Sequence, residues 1–351
     1  MQDRTAVIAG AGIIGLTTAL ELADAGWRVT VFDQREAMSE ASRAAAGMLA
    51  GRDPENPPAL RALAQLSLSL YPAFLARIEA LSGRKVPLRT SRTVQAGAHR
   101  PAGIAPLAAA DLRALAPEID PGSLEFFLLE EASFDAWDLA EALPAAIRAA
   151  GADLQEHTPV LRVSPGKSSV HVETAQGSLS AAVFLNATGA WAPALDPSLP
   201  VFPRKGHMLT VELPGDVQTG CVLRTDAVYI VPRGLQRYTI GSTVEDAGFD
   251  RTVDPGRLQG LFAKAASLWP PLRESRIVES WIGFRPASED GLPILDTTAE
   301  HCWVATGHFR NGIMLGPATG RVLAQCMTGR APEIDLTPFH ARRFAPASLS
   351  S

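Results

Sequence analysis

The chain opens with an apolar, strand-like run over residues 5–9, then the turn Gly10-Ala-Gly12-Ile-Ile-Gly15. A helical stretch over 16–25 follows, and a second apolar run over 27–32 ends on Asp33. This is a dinucleotide-binding βαβ unit with its parts in order, and it commits the start of the chain to a Rossmann-type α/β fold. Gly10 permits the tight turn, Gly12 lets backbone N–H groups approach a pyrophosphate, and Gly15 lets the helix pack closely on the strand. The helix start, at Ile13 and Ile14, offers partial positive charge to phosphates. Asp33 lies 18 residues after Gly15, where a carboxylate can accept both hydroxyls of a ribose. The competing reading is a glycine-rich turn in an ordinary α/β domain.

Bulk properties narrow the rest. The 351 residues suffice for two domains sharing a large buried core. A formal net charge of −5 without a long basic run argues against nucleic acid as the main partner. The three cysteines, Cys221, Cys302 and Cys326, have no CxxC or Cys/His ligand spacing. Neither a metal site nor a disulfide framework is expected, and the low count fits a reducing compartment. Cys302 and Cys326 sit in apolar surroundings and read as buried and inert. The apolar first 25 residues fit a Rossmann strand and helix better than a signal peptide, and no uninterrupted apolar run reaches membrane-spanning length. The expectation is a soluble cytoplasmic protein with no membrane span.

Periodicity predicts a helix over 59–81 containing Pro72, strand-like residues over 86–95, a short helix over 111–115 and a longer one over 134–150. Gly26 is placed to cap the first helix. Paired strands are expected over 169–174 and 178–186, around a Gln176-Gly177 turn. Strands follow over 208–213, 227–231, 238–243 and 276–284, interrupted by one helix over 255–268. A buried strand over 302–306 precedes a turn and an apolar helix to Met327, and the Ser-rich tail is expected to be disordered. The fold class is therefore α/β plus α+β. A Rossmann-type domain takes residues 1–85, 140–200 and 285–345. A second domain, built on an antiparallel sheet, takes 86–139 and 201–284.

Four blocks stand in order along the chain: Gly10 to Gly15, Ala44-Ala-Ala-Gly-Met-Leu49, Tyr229-Ile-Val-Pro-Arg233, and Gly307-His-Phe-Arg-Asn-Gly-Ile313 continuing to Pro317-Ala-Thr-Gly320. Between them lie Glu156-His-Thr-Pro-Val160, Ala187-Thr-Gly189 and Gly283-Phe-Arg-Pro286. With these segments the chain resembles the flavin-dependent D-amino acid oxidase superfamily, and within it the glycine oxidases. The first block is common to many FAD and NAD enzymes, whereas the second and last are far more specific. The resemblance implies FAD as cofactor and oxidative deamination of a small amino acid. It leaves homo-oligomers, dimers or tetramers, open. In some bacteria such an activity supplies iminoglycine for the thiazole of thiamine.

Amine oxidation by a flavin needs no metal and no nucleophilic side chain, because the cofactor carries the hard step. The protein must anchor the carboxylate, exclude bulky side chains and stabilise charge on the reduced ring. Arg285 is the first candidate anchor, since a guanidinium fork binds a carboxylate bidentately. A surface ion pair is its alternative. Tyr229, in an otherwise apolar strand, is the second: the resemblance implies a phenol that donates to the substrate carboxylate, and a core tyrosine satisfied by backbone is its alternative. Arg310 is the third, as a second cation for the amino acid anion, against a local capping or pairing role.

The turn carrying Arg310, Asn311, Gly312, Ile313 and Met314 is expected to present backbone N–H groups to the flavin ring. By the resemblance, Ala45, Ala46, Gly47 and Met48 run along the flavin; tight helix packing is the alternative. Gln34 and Ser42 belong to the cofactor set, Val160 offers its backbone to adenine, and Thr188 and Gly189 form a cofactor-facing turn. His308 joins that set, although its ring, like that of His207, reads as a buried, satisfied histidine. Ala227 stands where the glycine oxidase type carries histidine, and Trp137 is placed to reshape the substrate side. These departures leave the exact substrate open.

The leading expectation is an FAD-dependent oxidase of glycine, sarcosine or a small D-amino acid, with oxygen as co-substrate and hydrogen peroxide as product. A D-amino acid dehydrogenase passing electrons to a quinone or another acceptor is the runner-up. A flavin-binding protein without turnover and a nicotinamide enzyme complete the alternatives.

Overall fold

The computed structural model describes residues 4–345; the tail expected to be disordered falls at 346–351, outside them. Thr5–Ala9 is a central strand of a six-stranded sheet. Arg28–Phe32 and Val183–Asn186 flank it in parallel, with Ala9 opposite both Phe32 and Asn186. Asp153–Gln155 and Cys302–Thr306 extend the parallel order outward, and Ile294–Ala299 closes one edge in the antiparallel sense. Successive residues of the first strand serve opposite faces. Ala6 and Ile8 pack among helices, whereas Val7 and Ala9 pack against a three-stranded antiparallel layer that contributes Val170, Val172 and Ala181.

The helix Ile13–Asp24 leaves the first strand through the glycine turn. Gly10 has φ +104, and a Cβ there would run into the carbonyl of Ala187. A Cβ on Gly15 would run into the carbonyl of Gly10, so strand and helix meet at this pair of glycines. Gly26 caps the helix at φ +78, its N–H bonding Ala23 O at 3.0 Å. The C-terminal helix Gly312–Met327 lies on the first helix: a Cβ on Gly320 would come within 2.6 Å of Thr17 C.

The helix Arg61–Ser82, preceded by the short turn Pro58–Leu60, occupies the stretch in which periodicity places a helix containing Pro72. The segment Pro58–Ser82 is long and apolar enough, by composition, to cross a membrane. Its pattern is amphipathic: Leu63, Ala64, Ser67, Tyr71, Phe74 and Ile78 are buried in the first core, and Arg61, Gln65, Ser69 and Ala73 are exposed. A helix buried along one face with polar residues on the other is a packed core helix.

A second, seven-stranded sheet runs in the order Arg276–Ala287, Phe202–Glu212, Arg237–Gly241, Tyr229–Gly234, Val222–Arg224, Thr93–Gln95, Phe127–Leu129. It is antiparallel except where Val222–Arg224 meets Thr93–Gln95. Leu209, Val211, Leu223, Ile230 and Ile240 point into a second core under the helices Ala109–Leu115 and Pro255–Leu268. Asp254 caps the latter helix, accepting from Gly256 N at 2.8 Å, and Pro255 occupies its first turn.

One sequence reading is corrected by pairing. Residues 178–186 form two strands, not one. Gly177–Ala181 pairs back on Val170–Thr174, and after Ala182 the strand Val183–Asn186 joins the first sheet. The helix Ala136–Ala149 is continuous and contributes Leu139, Ala142, Leu143, Ala146 and Ile147 to the first core.

Candidate active site

Between the two sheets lies one cavity of about 780 Å³. Its nucleotide end is built from the glycine turn, the loop after Asp33 and the carboxyl end of the strand at Asn186. Gly10, Gly12, Ile13, Ile14, Asp33, Gln34 and Ser42 line it, as do Val160, Thr188 and Gly189. Ala45, Ala46, Gly47 and Met48 line its middle, opposite His308, Arg310, Asn311, Gly312 and Ile313. Gly15 and Met314 are not on its wall. Gly15 acts in strand–helix packing, and Met314 is a core residue at 1 % exposure.

Asp33 does more than face a ribose. Its carboxylate accepts the N–H of Ala11 at 2.7 Å and of Arg35 at 2.9 Å, so it also holds the glycine turn. Burial raises its pKa, against the pull of those two amides. Ser42, in the short helix Ala41–Ala44, accepts the N–H of Ile13 at 2.9 Å and so satisfies an amide at the start of the first helix. Neither this helix nor Gly312–Met327 carries an acidic residue in its first turn, and both begin at the cavity. Two helix N-termini facing an elongated cavity, one of them through glycines, suit a ligand with a pyrophosphate and an electron-rich ring. The residues present therefore fit FAD.

The far end is floored by the second sheet. Residues alternate with those of the second core, and register lines them up in one row: Gln95, Arg224, Tyr229, Gly241 and Met208 are successive cross-strand neighbours. All five face the cavity. The ring of Tyr229 lies flat on Gly241, where any Cβ would overlap it. Arg285 likewise lies across Gly206, whose Cβ would overlap its guanidinium. Arg285 donates to Thr243 O at 3.2 Å and Ser242 Oγ at 2.6 Å, and it makes no ion pair with a described residue. Burial lowers its pKa; the neighbouring Tyr229 opposes that and Arg310 adds to it. Burial raises the pKa of the Tyr229 phenol, against Arg285 and Ser242 beside it.

Arg310 is placed differently from the expectation of a second free cation. It is paired with Glu55 and, at 3.3 Å, with Asp53. Trp137 is also displaced from its expected role. It is not on the cavity wall but between the guanidiniums of Arg43 and Arg233, at 4.3 and 4.6 Å from its ring. The histidines read as buried are so: His207 is 0 % and His308 2 % exposed. Burial pushes the pKa of His308 down to about 3. Cys302 is buried and Cys326 half-buried, with thiol pKa values raised by burial.

Ser242, Thr243, Gly206 and Gly241 were not singled out from the sequence. A glycine inside a strand pattern is a signal of close approach that could have found the last two.

The FAD dependent oxidoreductase family matches residues 5–326, and the chain belongs to it. The chain is 32% identical to glycine oxidase of Geobacillus kaustophilus, covering 96% of each protein, and 33% identical to that of Pseudomonas aeruginosa, covering 97% of this chain and 98% of the relative. It is 36% identical to the bifunctional protein ThiO/ThiG of Trichormus variabilis, spanning 98% of this chain but 55% of that longer protein. The crystal structure of the Geobacillus kaustophilus glycine oxidase superposes with a TM-score of 0.92 at 31% identity, covering 97% of this chain and 99% of the other. Within the family the chain is glycine oxidase-like, an FAD-dependent amino acid oxidase.

Proposed function

We propose that this chain oxidises glycine or another small amino acid at the α carbon: amino acid, water and oxygen give a 2-oxo acid, ammonia and hydrogen peroxide. The observation that carries the reading is Arg285, a half-buried guanidinium facing the cavity with no carboxylate partner among the described residues. A buried charge without a partner is costly, and a substrate carboxylate supplies one. Bound FAD supplies the two-electron acceptor for the Cα–H bond and passes the electrons to oxygen. Arg285 and Tyr229 fix the carboxylate and so the orientation of Cα. Ala46, Gly47 and Met48 form the facing wall. The helix Gly312–Met327 begins at the cavity, and its positive end would favour negative charge on a flavin held there. Identity to glycine oxidases over nearly the whole chain supports glycine as the first substrate to try.

Anaerobic mixing of the FAD-loaded protein with glycine, sarcosine or D-alanine should bleach the flavin absorbance with at least one of them. Admission of air should restore it with formation of peroxide. Bleaching without rapid reoxidation would replace oxygen by another acceptor. No bleaching by any of the three would overturn the small-amino-acid reading.

A further inference from the structure

Arg285 is gripped by Ser242 and Thr243, and that segment is held in turn by groups off the cavity wall. In the strand Phe202–Glu212, Gly206 and Met208 belong to the cavity side and the fully buried His207 lies between them on the opposite face. Its Nε2 accepts the N–H of Asp254 at 3.0 Å. An accepting ring nitrogen carries no proton, so in the neutral ring the proton is on Nδ1, which donates to Glu245 Oε1 at 2.9 Å. The same oxygen accepts the hydroxyl of Thr243 at 2.5 Å, and Thr243 Oγ1 accepts the N–H of His207 at 2.8 Å. Three residues thus close a ring of hydrogen bonds. Lys205 reinforces it: its backbone N–H and carbonyl exchange bonds with Glu245 at 3.0 and 2.9 Å, and its Nζ donates to Asp250 at 2.6 Å.

This ring ends on the residues that grip Arg285, the carbonyl of Thr243 and the hydroxyl of Ser242. A guanidinium on a flexible stem recognises a carboxylate bidentately only when its plane is fixed in advance. A carboxylate placed directly on Arg285 would fix the plane but would compete with the substrate. Here the carboxylate stands one step back, on Glu245, where it orders Thr243 without neutralising Arg285.

We propose that His207 and Glu245 are positioning residues of the carboxylate anchor: they fix the segment Ser242 and Thr243, hence the plane of Arg285, and so set affinity for a substrate carboxylate without touching substrate or cofactor. The proposal rests on the reading of Arg285 as that anchor.

The test is calorimetric titration of the FAD-loaded protein with acetate, a bare carboxylate, together with KM and kcat for whichever amino acid bleaches the flavin. His207→Phe is expected to weaken acetate binding and raise KM by roughly tenfold, the size expected for loosening a charge-assisted contact. kcat should change little and FAD content not at all. His207→Asn, which offers an amide N–H near the place of Nδ1–H, should recover most of the affinity. In an Arg285→Met background, adding His207→Phe should change nothing further. Glu245→Gln, which keeps the shape of the side chain, gives a second route should His207→Phe fail to fold, and is expected to weaken acetate binding several-fold. A merely structural role would lower Tm or FAD content with no split between KM and kcat. Wild-type acetate affinity in folded, FAD-loaded His207→Phe or Glu245→Gln overturns the proposal while leaving the anchor standing. Wild-type affinity in Arg285→Met overturns the anchor and the proposal together.

Discussion

Arg285 and Tyr229 face the cavity because the backbone beneath each is glycine. A Cβ at position 241 would occupy the space of the Tyr229 ring, and the strand on which Gly241 sits is paired on both sides, so the backbone cannot recede. Gly241→Ala is therefore expected to displace the phenol and raise KM for the amino acid about tenfold or more, with FAD still bound; steady-state kinetics on FAD-loaded protein checks this. Arg285→Lys keeps the charge but loses the fork, and should cost about 2–4 kcal/mol of transition-state binding, seen as a fall in kcat/KM of roughly thirtyfold to nine-hundredfold. Equal kcat/KM in the lysine variant would remove Arg285 from the site. Both side chains were legible in the sequence from residue type and family resemblance. Their supports were not. Arg310 meets Glu55 across 255 positions of chain, and Arg285 meets Ser242 across 43. Local pattern carries no information about partners that far apart.

Elements were more legible than contacts. The strand Cys302–Thr306 and the helices Pro255–Leu268 and Gly312–Met327 lie where apolar period and caps place them. The merged reading of 178–186 failed because only Ala182 separates the two strands; the change of sheet is a pairing event, invisible to periodicity. The last helix also shows how an element's packing becomes a testable stability term. Gly316 and Gly320 let it lie against Ile13 and Thr17, and Thr17 Oγ1 donates to Gly316 O at 3.0 Å. Gly320→Val should lower stability by about 1–3 kcal/mol, as overpacking against backbone does, and Tm should fall by a few degrees. At the start of this helix, His308 is neutral in the fold, with its pKa depressed from 6.5 to about 3. Between these values the unfolded chain takes up a proton that the folded ring refuses. Its share of stability is complete above about pH 6.5 and is lost as pH falls toward 3, at up to about 1.4 kcal/mol per pH unit. His308→Gln retains an amide for Thr319 and does not titrate, so its Tm should fall less steeply over that window. Parallel Tm curves for the two proteins would count against the buried neutral ring.

At the scale of the whole molecule, the two sheets enclose one cavity, and side chains also reach across its rim. Arg251 reaches Glu40 at 2.6 Å, and Phe249 stacks on Trp191 at 4.7 Å between ring centroids. These join the segment after Gly241 to loops of the first sheet. A ligand filling the space between should add contact with both halves at once and stabilise the folded form by mass action. Removal of FAD is thus expected to lower Tm, and titrating FAD back should raise it continuously, reaching about 2.7 kcal/mol of stabilisation at a hundredfold excess over Kd, or several degrees. The location of the effect separates this from nonspecific binding. Gly12→Val fills the turn where a Cβ would already approach Ser42 Oγ at 3.3 Å, on the sheet opposite the one that carries Arg285. It should abolish the FAD-dependent rise, whereas Arg285→Lys should leave it intact. A rise that survives in Gly12→Val would place the cofactor somewhere other than the glycine turn that opens the chain.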